Sequence, residues 1–173
     1  MNKKVLSLVH AAVIAALYVV LTFVANSLGL ANYAIQVRFS EALTILPYFT
    51  PAAIPGLFIG CLLSNILTGC MPLDVLFGSL ATLLGALGTY FLCGRANPSA
   101  QTDKIKGWLA PFPPILANTL IVPFVLAYVY KFEGSIPYFM ITVCLGEIVS
   151  CGILGIILLK ALQKYRRYLF PKN

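Results

Sequence analysis

The sequence is short of charge. Five acids and twelve bases supply 10% of 173 residues, where soluble domains carry about 25%. So few charged groups cannot cover a water-soluble protein of this size, which argues against a soluble enzyme or a disordered chain. Histidine occurs once, at His10, and no C-x-x-C pair exists, so no metal-ligand spacing is present. The five cysteines (Cys61, Cys70, Cys93, Cys144 and Cys151) are odd in number and sit inside or at the ends of apolar runs. They read as small apolar residues rather than a disulfide framework. No G-x-x-x-x-G-K-[ST], G-x-S-x-G or H-E-x-x-H run occurs, so the chain has no P-loop for ATP and no hydrolase signature. A membrane hydrolase would need serine and histidine together deep in the bilayer, and His10 lies at a helix end. The chain is expected not to be an enzyme, and to need no cofactor and no metal.

Apolar residues are what the sequence has. They make up 60% of it, with a mean hydropathy of +0.93, and they fall in long runs. Lipid is the solvent these runs fit. The expectation is an all-α integral membrane protein, one domain over residues 1–173.

A membrane helix needs about 20 mostly apolar residues. The first run, 5–28, is too long for the apolar part of a signal peptide and has no clear cleavage site. A short helix is expected at 39–48, entered by a loop that dips into the protein; Ser40 suits its start, and Pro47 and Pro51 punctuate its end. Further helices are expected at 52–70, 73–93, 108–130 and 136–162, with an exposed polar loop at 94–107. The total is six transmembrane helices.

Basic residues orient such a bundle. With six spans, ten bases lie on the side of the termini, while Arg38 and Lys131 lie on the other. The positive-inside rule then places both termini of this multi-pass protein in the cytoplasm. The +7 net charge is a topology signal that also suits anionic lipid headgroups, with no nucleic acid required.

Ionisable and amide groups inside a bilayer are costly and mark candidate binding sites. Glu147 lies eleven residues into the last helix, about 16 Å deep. Cys144, Ser150 and Cys151 share its face, so that face points into protein or a cavity. Asn118 lies at comparable depth in helix five. Each has a plainer reading as an interhelical hydrogen bond. Asn65 sits near the outer end of helix three. Asp74 opens helix four, where a carboxylate suits either an N-terminal cap or a ligand contact. Arg38 and Glu41, three apart, would share a helical face and pair, either as an interfacial salt bridge or as the wall of an outward-facing pocket. On the first helix, Ala11, Ala12, Ala15 and Ala16 form two overlapping Ala-x-x-x-Ala pairs that permit close helix approach, within this chain or to another subunit. Gly56 and Gly60 repeat the spacing, and internal packing is expected there.

Taken together, this pattern resembles the substrate-binding S components of energy-coupling factor (ECF) transporters. Within that group, IQVRFSEALTILPYFTPAAIPGLFIG (35–60), and above all its core VRFSEALTILP (37–47), is similar to the QueT family. The resemblance implies an S-component-like six-helix bundle. It implies as partners a coupling transmembrane subunit and a pair of ATPase subunits, with Ala11, Ala12, Ala15 and Ala16 as the docking face. It implies an outward-opening pocket, and a queuosine precursor (queuine or a related 7-deazaguanine base) as the small-molecule substrate. Glu147 would accept the paired N–H donors of such a base and Asn118 would serve its carbonyl. Tyr33, Tyr128 and Tyr138 would offer stacking surfaces, and Glu41 or Asp74 would suit a charged aminomethyl group. An S component for riboflavin, thiamin or biotin, and a membrane scaffold without ligand, remain the alternatives.

Overall fold

The computed structural model describes residues 2–30, 36–94 and 100–170, and every regular element among them is helical. Helix α1 (Lys3–Ser27) is capped by Asn2, whose side chain accepts the Lys4 N–H at 3.2 Å. A 3₁₀ helix (Phe39–Tyr48) follows, then α2 (Ala53–Leu67) and α3 (Pro72–Thr89), which runs on as a π-helical turn, Tyr90–Gly94. Next come α4 (Ala100–Leu109), α5 (Phe112–Tyr128) and α6 (Ile136–Glu147). A second π segment, Ile148–Leu154, joins α6 to α7 (Gly155–Leu169) without a break.

Counting α3 with its π turn, α4 with α5 across the turn at 110–111, and α6 through α7, these elements make six helical segments. Four stretches are long and apolar enough to cross a membrane: Lys4–Ser27, Pro72–Gly94, Ile105–Tyr128 and Ile136–Arg166. The other two of the six expected spans are shorter. Helix α2 has 15 residues, about 22 Å of rise against a hydrocarbon core of about 30 Å. The 3₁₀ helix has ten, about 20 Å. Large apolar side chains stand exposed along the long helices (Leu8, Val20, Leu76, Leu120, Ile153), as a lipid environment requires.

The stretch expected as an exposed loop, 94–107, is in part helical, because α4 occupies Ala100–Leu109. Ile105 and Trp108 are exposed there, and the Lys160 ammonium lies 5.2 Å from the centre of the Trp108 ring. Arg95 and Asn97-Pro98-Ser99 lie outside the described residues. The single helix expected at 108–130 is divided at Pro111, which precedes the first turn of α5, where missing N–H groups of Pro113 and Pro114 cost nothing.

Two seams set the frame. Gly56 and Gly60 of α2 meet α1 at Ala11 and Ala15: a Cβ on Gly56 would stand 2.7 Å from the Ala11 carbonyl oxygen, and one on Gly60 would stand 3.0 Å from the Ala15 Cα. On the other side, Gly85 and Gly88 of α3 pack on Pro114 and Pro113 of α5. The 3₁₀ helix lies between, in contact with α1, α2, α3, α7 and the second π segment. Its residues Ser40 through Tyr48 are all buried. A ten-residue 3₁₀ run is unusual, since such runs rarely exceed about four residues. Here burial on every side holds it, and Pro47 denies it an α-helical bond in its last turn.

Candidate functional site

The 3₁₀ helix begins in the middle of the bundle and sets the site. Arg38 precedes it in extended conformation (φ −110°, ψ 113°), and its backbone N–H donates to Ser150 Oγ at 3.1 Å. Ser150 sits in the π segment that follows Glu147, and such segments commonly occur at functional positions. Just before Arg38, the Gln36 carbonyl lies against Gly146, where no side chain would fit. Two ties, at Ser150 and Gly146, thus hold the entering chain against the last helical segment.

This arrangement encloses two adjoining chambers. The outer one, about 250 Å³, is lined by the ends of four helices: Thr22 and Asn26 of α1, Asn65 and its neighbour Thr68 at α2, Asp74 of α3, and Val122 and Leu126 of α5. Tyr130 and Phe132 supply its aromatic surface. The inner one, about 30 Å³, is lined by Glu41, Gly78, Thr82, Asn118, Val143 and Glu147. Gln36, Arg38, Asp74 and Val122 border both.

In the inner chamber the carboxylates of Glu41 and Glu147 come together. An oxygen of each and the Cys151 sulfur lie within 4.8 Å of one another. Glu41 is 2% exposed; its Oε1 accepts the Tyr18 hydroxyl, and its Oε2 has no hydrogen-bond partner. Glu147 Oε2 accepts the Cys151 thiol at 3.0 Å, and Thr44 Oγ1 lies 3.3 Å from the same sulfur. The buried Asn118 amide is within reach of both carboxylates. Hydrogen bonds account for the Cys151 sulfur among these acids, and we assign no metal to the cluster.

In the outer chamber the Tyr130 hydroxyl donates to Asp74 Oδ2 at 2.8 Å. Burial, then the bond to Asp74, pushes the Tyr130 phenol above the usual tyrosine range, so it remains a donor at neutral pH. Asp74 lies in the first turn of α3, but no side chain caps that helix, whose N-cap is Met71. The Arg38 guanidinium donates to Gln36 Oε1 at 3.4 Å, and Arg38 and Asp74 border both chambers. The Arg38–Glu41 pairing expected on one helical face does not form the site, because Arg38 is not helical.

Of the residues singled out from the sequence, Glu147, Asn118, Glu41, Arg38, Asp74 and Asn65 therefore line one or both chambers. Tyr128 and Tyr138 line neither. Tyr128 is 68% exposed and stacks on Phe124, while Tyr138 is 48% exposed beside Phe139. Their helical positions turn them outward, and Tyr130, two residues on, takes the place inside. Tyr33 lies outside the described residues. Sequence reasoning missed Tyr18, Tyr130, Gln36 and Gly146. The signal for Tyr18 was present: it sits three residues after Ala15, on the face that packs inward. The four alanines divide, with Ala11 and Ala15 in the α2 seam and Ala12 and Ala16 exposed.

Apolar helices around a polar chamber of small-molecule size define the class, a multi-pass membrane protein with an internal site. The chain belongs to the QueT transporter family, which matches residues 8–164. It is 32% identical over 158 residues to a protein of Lactococcus lactis subsp. cremoris (strain MG1363) named queuosine precursor transporter QueT, covering 88% of this chain and 89% of that protein. No solved structure matches the chain. It is a membrane transporter with a small-molecule substrate.

Proposed function

We propose that this chain is the substrate-binding membrane subunit of an ECF-type importer and that it captures a queuosine precursor, a 7-deazaguanine base. The observation that carries the proposal is the polar set of the inner chamber: two carboxyl groups as acceptors, with Glu41 Oε2 unpartnered, and the Asn118 amide, whose NH2 can donate. A deazaguanine presents an N–H and an amino group side by side. A carboxylate accepts such a pair in a charge-assisted arrangement, and Asn118 can serve the ring carbonyl. The outer chamber, about 250 Å³, lies just below the usual ligand-site range of about 300–1,000 Å³. It suits one bicyclic ring and a short substituent rather than a nucleotide.

Charge supports the same reading. Glu41, Asp74 and Glu147 line one chamber together with Arg38. A base bearing an aminomethyl group would find in Asp74 or Glu41 an acid to take its ammonium. A pure scaffold has no need of these groups, since polar side chains buried without a partner cost free energy. In this reading the substrate enters from outside the cell, the basic end of the bundle faces the cytoplasm, and a coupling subunit with its ATPase pair drives release.

The test is ligand affinity of the purified protein for queuine and 7-aminomethyl-7-deazaguanine, with biotin and riboflavin as controls. Glu41→Gln and Glu147→Gln, which turn acceptors into amides, should each weaken binding by about 1.5–3 kcal/mol, or roughly tenfold to a hundredfold. Unchanged affinity in both variants would remove the acceptor role.

A further inference from the structure

The two oxygens of Glu41 are not equivalent. Oε1 is tied by the Tyr18 hydroxyl, and Oε2 is buried with no hydrogen bond of ordinary length, the Asn118 amide lying within reach of the carboxylate. Tyr18 is 1% exposed and packed in the core with Leu57 and Cys61, and the α2 backbone at Gly60 closes on its Cβ. One turn further along the same face of α1, Thr22 Oγ1 bonds Ser40 Oγ at 2.9 Å and also donates toward the Tyr18 carbonyl. Helix α1 therefore grips the start of the 3₁₀ helix at two adjacent residues, Ser40 and Glu41.

A carboxylate turns freely about its last carbon–carbon bond unless one oxygen is held. Fixing Oε1 fixes the plane, and with it the direction of the lone pairs on Oε2. We propose that Tyr18 is a positioning residue for substrate capture: its hydroxyl holds the Glu41 carboxylate so that Oε2 is presented to an N–H donor entering the inner chamber. This rests on the reading of that chamber as the deazaguanine site. Tyr18 itself lines neither chamber, so its action passes through Glu41. With Glu147 Oε2 engaged by Cys151, Glu41 is the acid whose free oxygen is already set in place. A bound base would supply the partner that this oxygen lacks. Such preorganisation converts into affinity by reducing what must be ordered on binding.

The test is calorimetric binding of 7-aminomethyl-7-deazaguanine by the full chain in detergent, for wild type, Tyr18→Phe, Glu41→Gln and the double variant. Tyr18→Phe should weaken binding about tenfold, while the double variant binds no worse than Glu41→Gln alone, because the two residues act as one unit. Full additivity, or wild-type affinity in Tyr18→Phe, would overturn the assignment. As a second readout, fluorinated tyrosine at position 18 preserves shape while making the phenol a stronger donor; affinity must shift with phenol acidity, and a constant affinity overturns the role. Wild-type protein that fails to bind the base overturns the substrate reading and this inference with it. Wild-type binding with an indifferent Tyr18 overturns this inference alone.

Discussion

The α1–α2 seam and the junction around Arg38 are both places where backbone meets backbone, yet they are built differently. In the seam, Ala11 and Ala15 face Gly56 and Gly60 across two regular α-helices. Small residues at a spacing of four produce that contact, and the contact is stability alone. At the junction, an extended residue, a 3₁₀ helix and a π segment meet, and the contacts hold carboxylates rather than helices. The first arrangement follows from a local repeat. The second depends on residues more than a hundred positions apart in sequence, Arg38 and Ser150. Regular packing gives the frame, and departures from the α-helix give the site.

Substituting the glycine of each region separates them. Gly146→Ala places a Cβ into the Gln36 carbonyl, which can move only by carrying Arg38 away from Ser150. We expect ligand affinity to fall at least about a hundredfold, with the bundle still assembled, as checked by calorimetry beside a thermal-unfolding scan. An affinity within a few-fold of wild type would show that the junction does not shape the site. Gly56→Ala meets the Ala11 carbonyl oxygen at 2.7 Å and the Ile14 Cβ at 3.1 Å. It should cost about 1–3 kcal/mol of stability through overpacking, seen as a lowered unfolding midpoint, with ligand affinity unchanged. Loss of affinity there would mean that seam and site are one unit.

The same contrast explains what could be read from the sequence. The bounds of the 3₁₀ helix were legible because Ser40, Pro47 and Pro51 punctuate it. Its type was not, since burial on all sides, rather than local preference, selects the tighter helix. Glu41, Asp74, Asn118 and Glu147 stood out because polar groups in apolar runs are costly. That reasoning finds chamber walls but not the supports behind them. Tyr18, in an apolar helix, looks like any core aromatic until Glu41 is seen beside it. Aromatic rings near helix ends, such as Tyr128 and Tyr138, suit stacking, but they equally suit the lipid interface. The division of 108–130 at Pro111 and the helical character of Ala100–Leu109 depend on how the turn between α4 and α5 packs. The proline count alone did not supply that.

The smallest effect on the isolated protein is expected on the free face of α1. Ala11 and Ala15 are taken up by α2, but Ala12 and Ala16 are exposed among the described residues. Leucine at both positions should leave stability within about 0.5 kcal/mol, as exposed substitutions generally do, and should leave affinity for the base intact because neither residue lines a chamber. If this face is where a coupling subunit seats, the Ala12→Leu, Ala16→Leu variant should nevertheless fail to co-purify with that subunit and fail to support uptake in cells. Leucine at Ala11 and Ala15 would instead break the seam and lower stability. A double variant at positions 12 and 16 that still assembles would move the docking surface off α1. A variant that loses stability as much as the seam variant would mean both alanine pairs serve internal packing.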